Sequence, residues 1–267
     1  MKTIGFIGCG NMGRAMVEGI MKAELVSGDH MILSNQHPEK LTELSECYDC
    51  YISDNESVAK HSDIIVLAVK PYMYQGVIEE IRTMVKESVI LINIAPGISN
   101  EDMEAMFQKP IKTVHAMPNT PAMVGEGMSA LVFNERCTKD DHDDVKALFE
   151  SFGSCREIDE HMMDAVIGVS GSSPAYLFMI LEAMADGAVR LGMPRKDAYA
   201  FAAQAMIGSA TMLAQTGMHP GELKDMVCSP AGTTIEAVAM LEEKGLRSAI
   251  IEAMHVCAQR SRDMRKS

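Results

Sequence analysis

The run "TIGFIGCGNMG" (3–13) restricts the fold more than any other part of the chain. An apolar stretch passes directly into Gly8, Gly10 and Gly13, and a helix-compatible segment follows at once. A strand that turns sharply into a helix needs residues without a Cβ at the turn, and G-x-G-x-x-G places three there. Gly8 allows the tight turn, Gly10 lets the main chain approach a pyrophosphate, and Gly13 lets the helix pack on the strand. At the head of a βαβ unit, this spacing specifies a dinucleotide-binding loop.

The next 150 or so residues keep to that plan. "MILSN" (31–35), "DIIVLAV" (63–69), "VILINIA" (89–95), "IKTVHAM" (111–117) and "MSALVF" (128–133) read as strands. Several are nearly continuous apolar runs, as expected of strands buried on both faces. Amphipathic segments near 12–23, 38–46, 73–86, 100–108 and 139–151 alternate with them. The expectation is an α/β Rossmann domain over 1–160 with a doubly wound, mostly parallel sheet. Beyond it the β signals stop. Ala- and Met-rich segments starting near Pro174, Pro194, Pro220 and Pro230 read as helices, giving an all-α second domain over 161–267. The helix near 195–215 is apolar around much of its circumference, which suggests burial on more than one side and a homodimer built on this half.

A net charge of −13 argues against nucleic acid or an anionic membrane as partner. Local donors must therefore hold any anionic ligand. Seven scattered Cys, with one C-x-x-C at Cys47 and Cys50 and no completing pair, suit free thiols in a reducing cytoplasm and no metal site. No long apolar leader opens the chain, and "AYLFMIL" (175–181) is broken by Glu182 and Asp186, so no membrane span is expected.

Ligands of open α/β sheets gather at the C-terminal strand edges. The second strand ends in "LSNQHPEK" (33–40), where a carboxylate would select NAD. Ser34, Asn35 and Gln36 stand there instead, with His37 and Lys40 near, which favours NADPH and leaves NADH as the second choice. No Arg at this strand end clamps a phosphate. "LAVKP" (67–71), "NIAPGIS" (93–99) and "HAMPNTPA" (115–122) end later strands and line the same edge. Near the C-terminus, "CSPAGTTIEAV" (228–238) sets small and hydroxylated residues before a helical run. Such a turn is either a plain helix cap or a site for an anion at the positive end of the helix.

Taken together, "GFIGCGNMG", "LAVKP", "MPNTPA", "SGSSPAY" (170–176), "HPGELKDMV" (219–227) and "SPAGTTIEAV" (229–238) resemble the pyrroline-5-carboxylate reductases, in order and over the whole chain. The resemblance implies reduction of 1-pyrroline-5-carboxylate to proline with NAD(P)H, the last step of proline synthesis. It also implies a small imino acid substrate, and dimers that often assemble into rings. By motif, the pyrophosphate loop is Ile7, Gly8, Cys9, Gly10, Asn11 and Met12, with Gly13 behind it. Ser34, Asn35 and Asn55 lie near the adenosine ribose and its phosphate. Ala68, Val69, Lys70 and Pro71, with Ile94, Ala95 and Pro96, line the nicotinamide side. Ser229, Gly232, Thr233 and Thr234 hold the substrate, and Thr234 donates a proton to the ring nitrogen. The chain departs from the family pattern at His115 and Gln36, where Arg or another phosphate-reader is common. Ala231 and Ser173 replace glycines, which narrows the pocket.

The chemistry agrees with that assignment. A cyclic imine becomes a strong electrophile once its nitrogen is protonated, so a hydroxyl donor suffices and a general base is not required. The first turn after 231 offers N–H groups to the substrate carboxylate. Two alternatives are an NADP-dependent imine or 3-hydroxyacid dehydrogenase and a non-catalytic NADP(H) sensor. The 3-hydroxyacid enzymes usually carry a Lys on the segment corresponding to 160–180, where this chain has none. A sensor need not keep "SPAGTT".

Overall fold

Eight strands form one sheet in the order β3-β2-β1-β4-β5-β6-β7-β8 in a computed structural model that describes residues 2–265. The strands are β1 (Ile4–Ile7), β2 (Met31–Ser34), β3 (Tyr51–Ile52), β4 (Ile64–Leu67), β5 (Ile90–Asn93), β6 (Lys112–Met117), β7 (Gly127–Phe133) and β8 (Gly153–Glu157). All neighbours are parallel except β6 and β7. The helices of this layer are α1 (Asn11–Lys22), α2 (Thr42–Tyr48), α3 (Asn55–His61), α4 (Tyr74–Ile81), α5 (Asn100–Phe107) and α6 (Lys139–Glu150).

Strand residues alternate between two cores. Phe6, Ile64, Val66, Ile90 and Ile92 pack with Met16, Leu44 and Phe149 of α1, α2 and α6. Ile7, Ile65, Leu67 and Leu91 pack with Val58, Ile78, Met103 and Phe107 of α3, α4 and α5 on the other face. The sheet is therefore doubly wound, as expected. The chain runs β1, β2, β3 in one direction and returns to β4 on the far side of β1, which puts the switch point at the β1/β4 strand ends.

Local signals set the helix starts. Ser99 with Asp102 and Thr138 with Asp141 form capping boxes at α5 and α6. The Asp54 side chain caps α3 through Ser57 N. β3, β8 and α3 were not anticipated. β3 and β8 are edge strands with largely exposed side chains, so they carry little apolar pattern. Gly153 in β8 is obligatory: its φ is +152°, and an added Cβ would sit 2.0 Å from Gly127 O.

By packing, the chain divides into two compact units at Gly171/Ser172. The first takes in α7 (Met163–Val166), a π turn at Ile167–Gly171, and the end of the last helix from Cys257 on. Asp164 explains the return: it accepts from Ser261 Oγ at 3.0 Å and Arg262 Nε at 3.1 Å. The second unit, 172–256, is helical: α8 (Ser173–Arg190), α9 (Arg195–Thr216), α10 (Pro220–Val227), α11 (Thr233–Glu243) and most of α12 (Leu246–Arg265).

In that unit Pro174, Ala185, Ala198 and Ala202 are buried, while Phe178, Met179, Phe201 and Ile207 are exposed. By length and composition the helical stretch Glu160–Arg190 is apolar enough to cross a membrane, with a mean hydropathy of 1.3 in its best window, despite Glu182 and Asp186. A helix whose apolar face packs against another protein has the same composition.

Candidate active site

A cleft of about 1960 Å³ opens along the C-terminal ends of β1, β2, β4 and β5. Every residue expected at the nucleotide lines it: the Ile7–Gly13 loop, Ser34, Asn35 and Asn55, the Ala68–Pro71 stretch, and Ile94 to Pro96. The glycines divide the roles foreseen for them. Gly8 has φ +81°, and its Cβ would meet Val69 Cγ1 at 2.5 Å. Gly13 lies close to the turn, with Gly8 O 3.1 Å from its would-be Cβ. Gly10 has nothing within 4 Å of that position and borders the cleft.

The rim at β2 is hydrogen-bonded in series. Gly8 N donates to Ser34 O at 2.9 Å, and Asn35 Nδ2 to Cys9 O at 3.3 Å. Ser34 Oγ donates to Asn55 Oδ1 at 2.6 Å, and Asn55 Nδ2 to Glu80 Oε2 at 2.8 Å. Burial pushes the Cys9 thiol up to about 12, so it stays protonated in the loop.

The sequence missed Arg14 and Glu80, which also line the cleft. The end of β2 itself lacks Arg and carboxylate, as expected, but the fold brings both from elsewhere. Arg14 is held by Glu43 at 2.7 Å and Glu18 at 2.9 Å. Their distance in sequence from β2 hid them. His115 is not part of the lining; it is buried on β6 with Nδ1 2.9 Å from Glu160 Oε1. Asn119 braces the following loop, donating to Ser170 O at 3.0 Å and accepting from Met128 N at 2.8 Å.

The 229–234 turn lies in the second unit. Its helix, α11, begins at Thr233 rather than near 231, and its N-cap is Gly232, not Ser229. No side chain caps it. Gly232 N donates to Ser229 O at 3.0 Å, and a Cβ on Gly232 would fall 2.2 Å from Ser229 Oγ, so a larger residue there would have to displace that hydroxyl. Ala231, standing where the family pattern has glycine, has φ +54°, a left-handed conformation costing about 1 kcal/mol outside glycine. α1 starts the same way. Gly10 (φ −76°, ψ −164°) and Gly232 (φ −83°, ψ 171°) are both extended N-caps without a side-chain cap. Side chains of Asp54, Ser99 and Thr138 occupy the equivalent place in α3, α5 and α6. Both helix starts leave first-turn N–H groups without a side-chain cap, as α2, α4, α8 and α9 also do, and both have glycine at the N-cap.

Comparison with known proteins accounts for both halves. Residues 3–97 match the family model "NADP oxidoreductase coenzyme F420-dependent", and residues 160–264 match "Pyrroline-5-carboxylate reductase dimerisation". The pyrroline-5-carboxylate reductase of Escherichia coli (strain K12) is 46% identical over 100% of this chain and 99% of its own length. This chain belongs to the pyrroline-5-carboxylate reductase family.

Solved family members agree. The Coxiella burnetii pyrroline-5-carboxylate reductase superposes with a TM-score of 0.94 at 31% identity, covering 100% of this chain and 99% of that one. The Plasmodium falciparum pyrroline carboxylate reductase, solved with NADP bound, gives 0.89 at 30% identity, covering 99% and 98%. The first unit of this reductase fits such a nucleotide on its own geometry: a Cβ-free concavity at Gly10 faces the cleft beneath the uncapped start of α1. The helical half is an oligomerisation module.

Proposed function

We propose that this protein reduces 1-pyrroline-5-carboxylate to L-proline with NADPH, the last step of proline synthesis. The observation that carries the reading is the pair of uncapped, glycine-started helices, one in the nucleotide cleft and one holding Thr233 and Thr234. Bound reduced nicotinamide supplies the hydride. Everything else falls to the chain. The N–H groups of the first turn of α1 and the Gly8–Gly13 backbone receive the pyrophosphate. Ser34, Asn35 and Asn55 hold the ribose end, and the 68–71 and 94–96 stretches shape the nicotinamide end.

In the second unit, the first-turn N–H groups of α11 receive the substrate carboxylate, with Ser229 and Thr233 hydroxyls beside them. Thr234 donates a hydrogen bond to the ring nitrogen and relays to it a proton that its hydroxyl regains from water, which makes the adjacent carbon electrophilic. A net charge of −13 repels both anionic ligands at long range, so these donors supply the local attraction.

The exposed apolar residues of α8 and α9 support a homodimer formed through this unit, and dimers of this kind are able to build rings. Seven free thiols support a reducing, cytoplasmic location.

Initial rates with NADPH and pyrroline-5-carboxylate test the reading through Thr234→Ala. Turnover should fall by roughly 10²-fold or more while NADPH affinity stays within about twofold, as for loss of a proton donor alone. Equal losses in both quantities would contradict the role.

A further inference from the structure

β4 and β5 separate where the nicotinamide end of the cleft begins. Leu67 and Asn93 are their last registered pair. Beyond it the chain leaves the sheet as the two stretches that line the cleft, 68–71 and 94–96. Two fully buried polar side chains, Tyr74 and Asn93, occupy this fork, and neither lines the cleft.

Tyr74, the first residue of α4, packs among Val77, Ile78 and Ile81, an environment that phenylalanine would satisfy. Its hydroxyl nevertheless donates to Leu67 O at 2.7 Å. That carbonyl stands where the ladder ends, and buried carbonyls need a partner. Burial pushes the Tyr74 hydroxyl up, and Ala95 of the second stretch and Ile98 just beyond it belong to the same buried cluster as Tyr74 and Leu67. Asn93 closes that stretch on itself. Its Oδ1 accepts from Ala95 N at 2.8 Å, and its Nδ2 donates to Ile98 O at 2.6 Å. One buried side chain thus anchors the end of β4 and the other the loop after β5, and the two anchored segments pack in one buried cluster.

We propose that Tyr74 and Asn93 are positioning residues, holding the 68–71 and 94–96 stretches at the separation that fixes the nicotinamide ring for hydride delivery. The proposal rests on the reading of the cleft given above. A fork that relaxes by about 1 Å would leave the adenosine half of the nucleotide in place and misalign the reacting half, where such errors are costly.

The experiment compares Tyr74→Phe and Asn93→Ser with wild type in three readouts: kcat and KM with NADPH, the Kd of NADPH by fluorescence, and the Kd of adenosine 2′,5′-bisphosphate, which has no nicotinamide. The expected result is a kcat lowered about tenfold with the bisphosphate Kd within about twofold of wild type. An unchanged kcat in both variants would overturn the proposal. So would kcat and bisphosphate affinity falling together, which marks general loosening. Should Asn93→Ser not fold, Tyr74→Phe decides alone, since it removes one oxygen and no packing volume. Wild type failing to bind NADPH would instead overturn the reading of the cleft, and this proposal with it.

Discussion

Gly8 and Gly10 sit two residues apart in one motif and are required for different reasons. Gly8 is needed by the fold: its φ of +81° and the 2.5 Å approach to Val69 leave no place for a side chain. Gly10 is not needed for packing, because its Cβ direction is open and borders the cleft; the proposed role is to leave room for the ligand. Gly10→Val should therefore leave the melting temperature within a few degrees and raise the NADPH Kd by about 100-fold or more, through occupation of the pyrophosphate space. Thermal melts with NADPH fluorescence titration check both halves, and retained affinity would contradict the assignment. The motif was legible from sequence because each glycine answers a backbone demand local to three or four residues. Tyr74, Arg14 and Glu80 were not, since Leu67, Glu43 and Asn55, which position them, lie 7 to 29 residues away and only the fold brings them together.

At the scale of elements, the strands of the parallel core were legible because burial on both faces leaves an unbroken apolar run. β3 and β8 were not, because an edge strand with exposed side chains leaves no such run. α11 starts at Thr233, two residues beyond the expected start near 231, with Gly232 as its N-cap. Capping predicts a measurable pH dependence at α6. Asp141 is buried, accepts from Thr138 N at 2.7 Å and Thr138 Oγ1 at 2.8 Å, and pairs with Lys112 at 2.6 Å. Burial raises its carboxyl, but Lys112 and Thr138 outweigh burial and leave it below its ordinary value. A depressed carboxyl contributes stability that is full above the unfolded value of about 3.9 and is lost as pH falls through the lower folded value. Asp141→Asn should cost about 1 kcal/mol at neutral pH, and the gap to wild type should close only below about pH 4. Urea melts across pH check this, and a gap that persists at low pH would contradict it.

At the scale of the whole molecule, the two units are built differently. The first buries two cores against a sheet, while the second buries few side chains of its own and exposes a long set of apolar ones. Exposure on that scale marks a surface covered by another protein. Phe178→Glu on α8 alters a side chain that is 67% exposed in the single chain, so it should spare the fold and weaken self-association by about 100-fold. Sedimentation velocity over a concentration series would show it, and an unchanged assembly would place the interface elsewhere. The packing of the units also depends on contacts far apart in sequence: nothing near 160 announces that Asp164 will be held by Ser261 and Arg262. The central claim is that NADPH held in the βαβ cleft gives its hydride to 1-pyrroline-5-carboxylate. NADPH deuterated at the transferable position of its nicotinamide, mixed with enzyme and unlabelled 1-pyrroline-5-carboxylate, tests it directly. The account predicts proline carrying a single deuterium at Cδ, formed in step with NADPH consumption; proline without the label, or NADPH consumed with no proline formed, would contradict it.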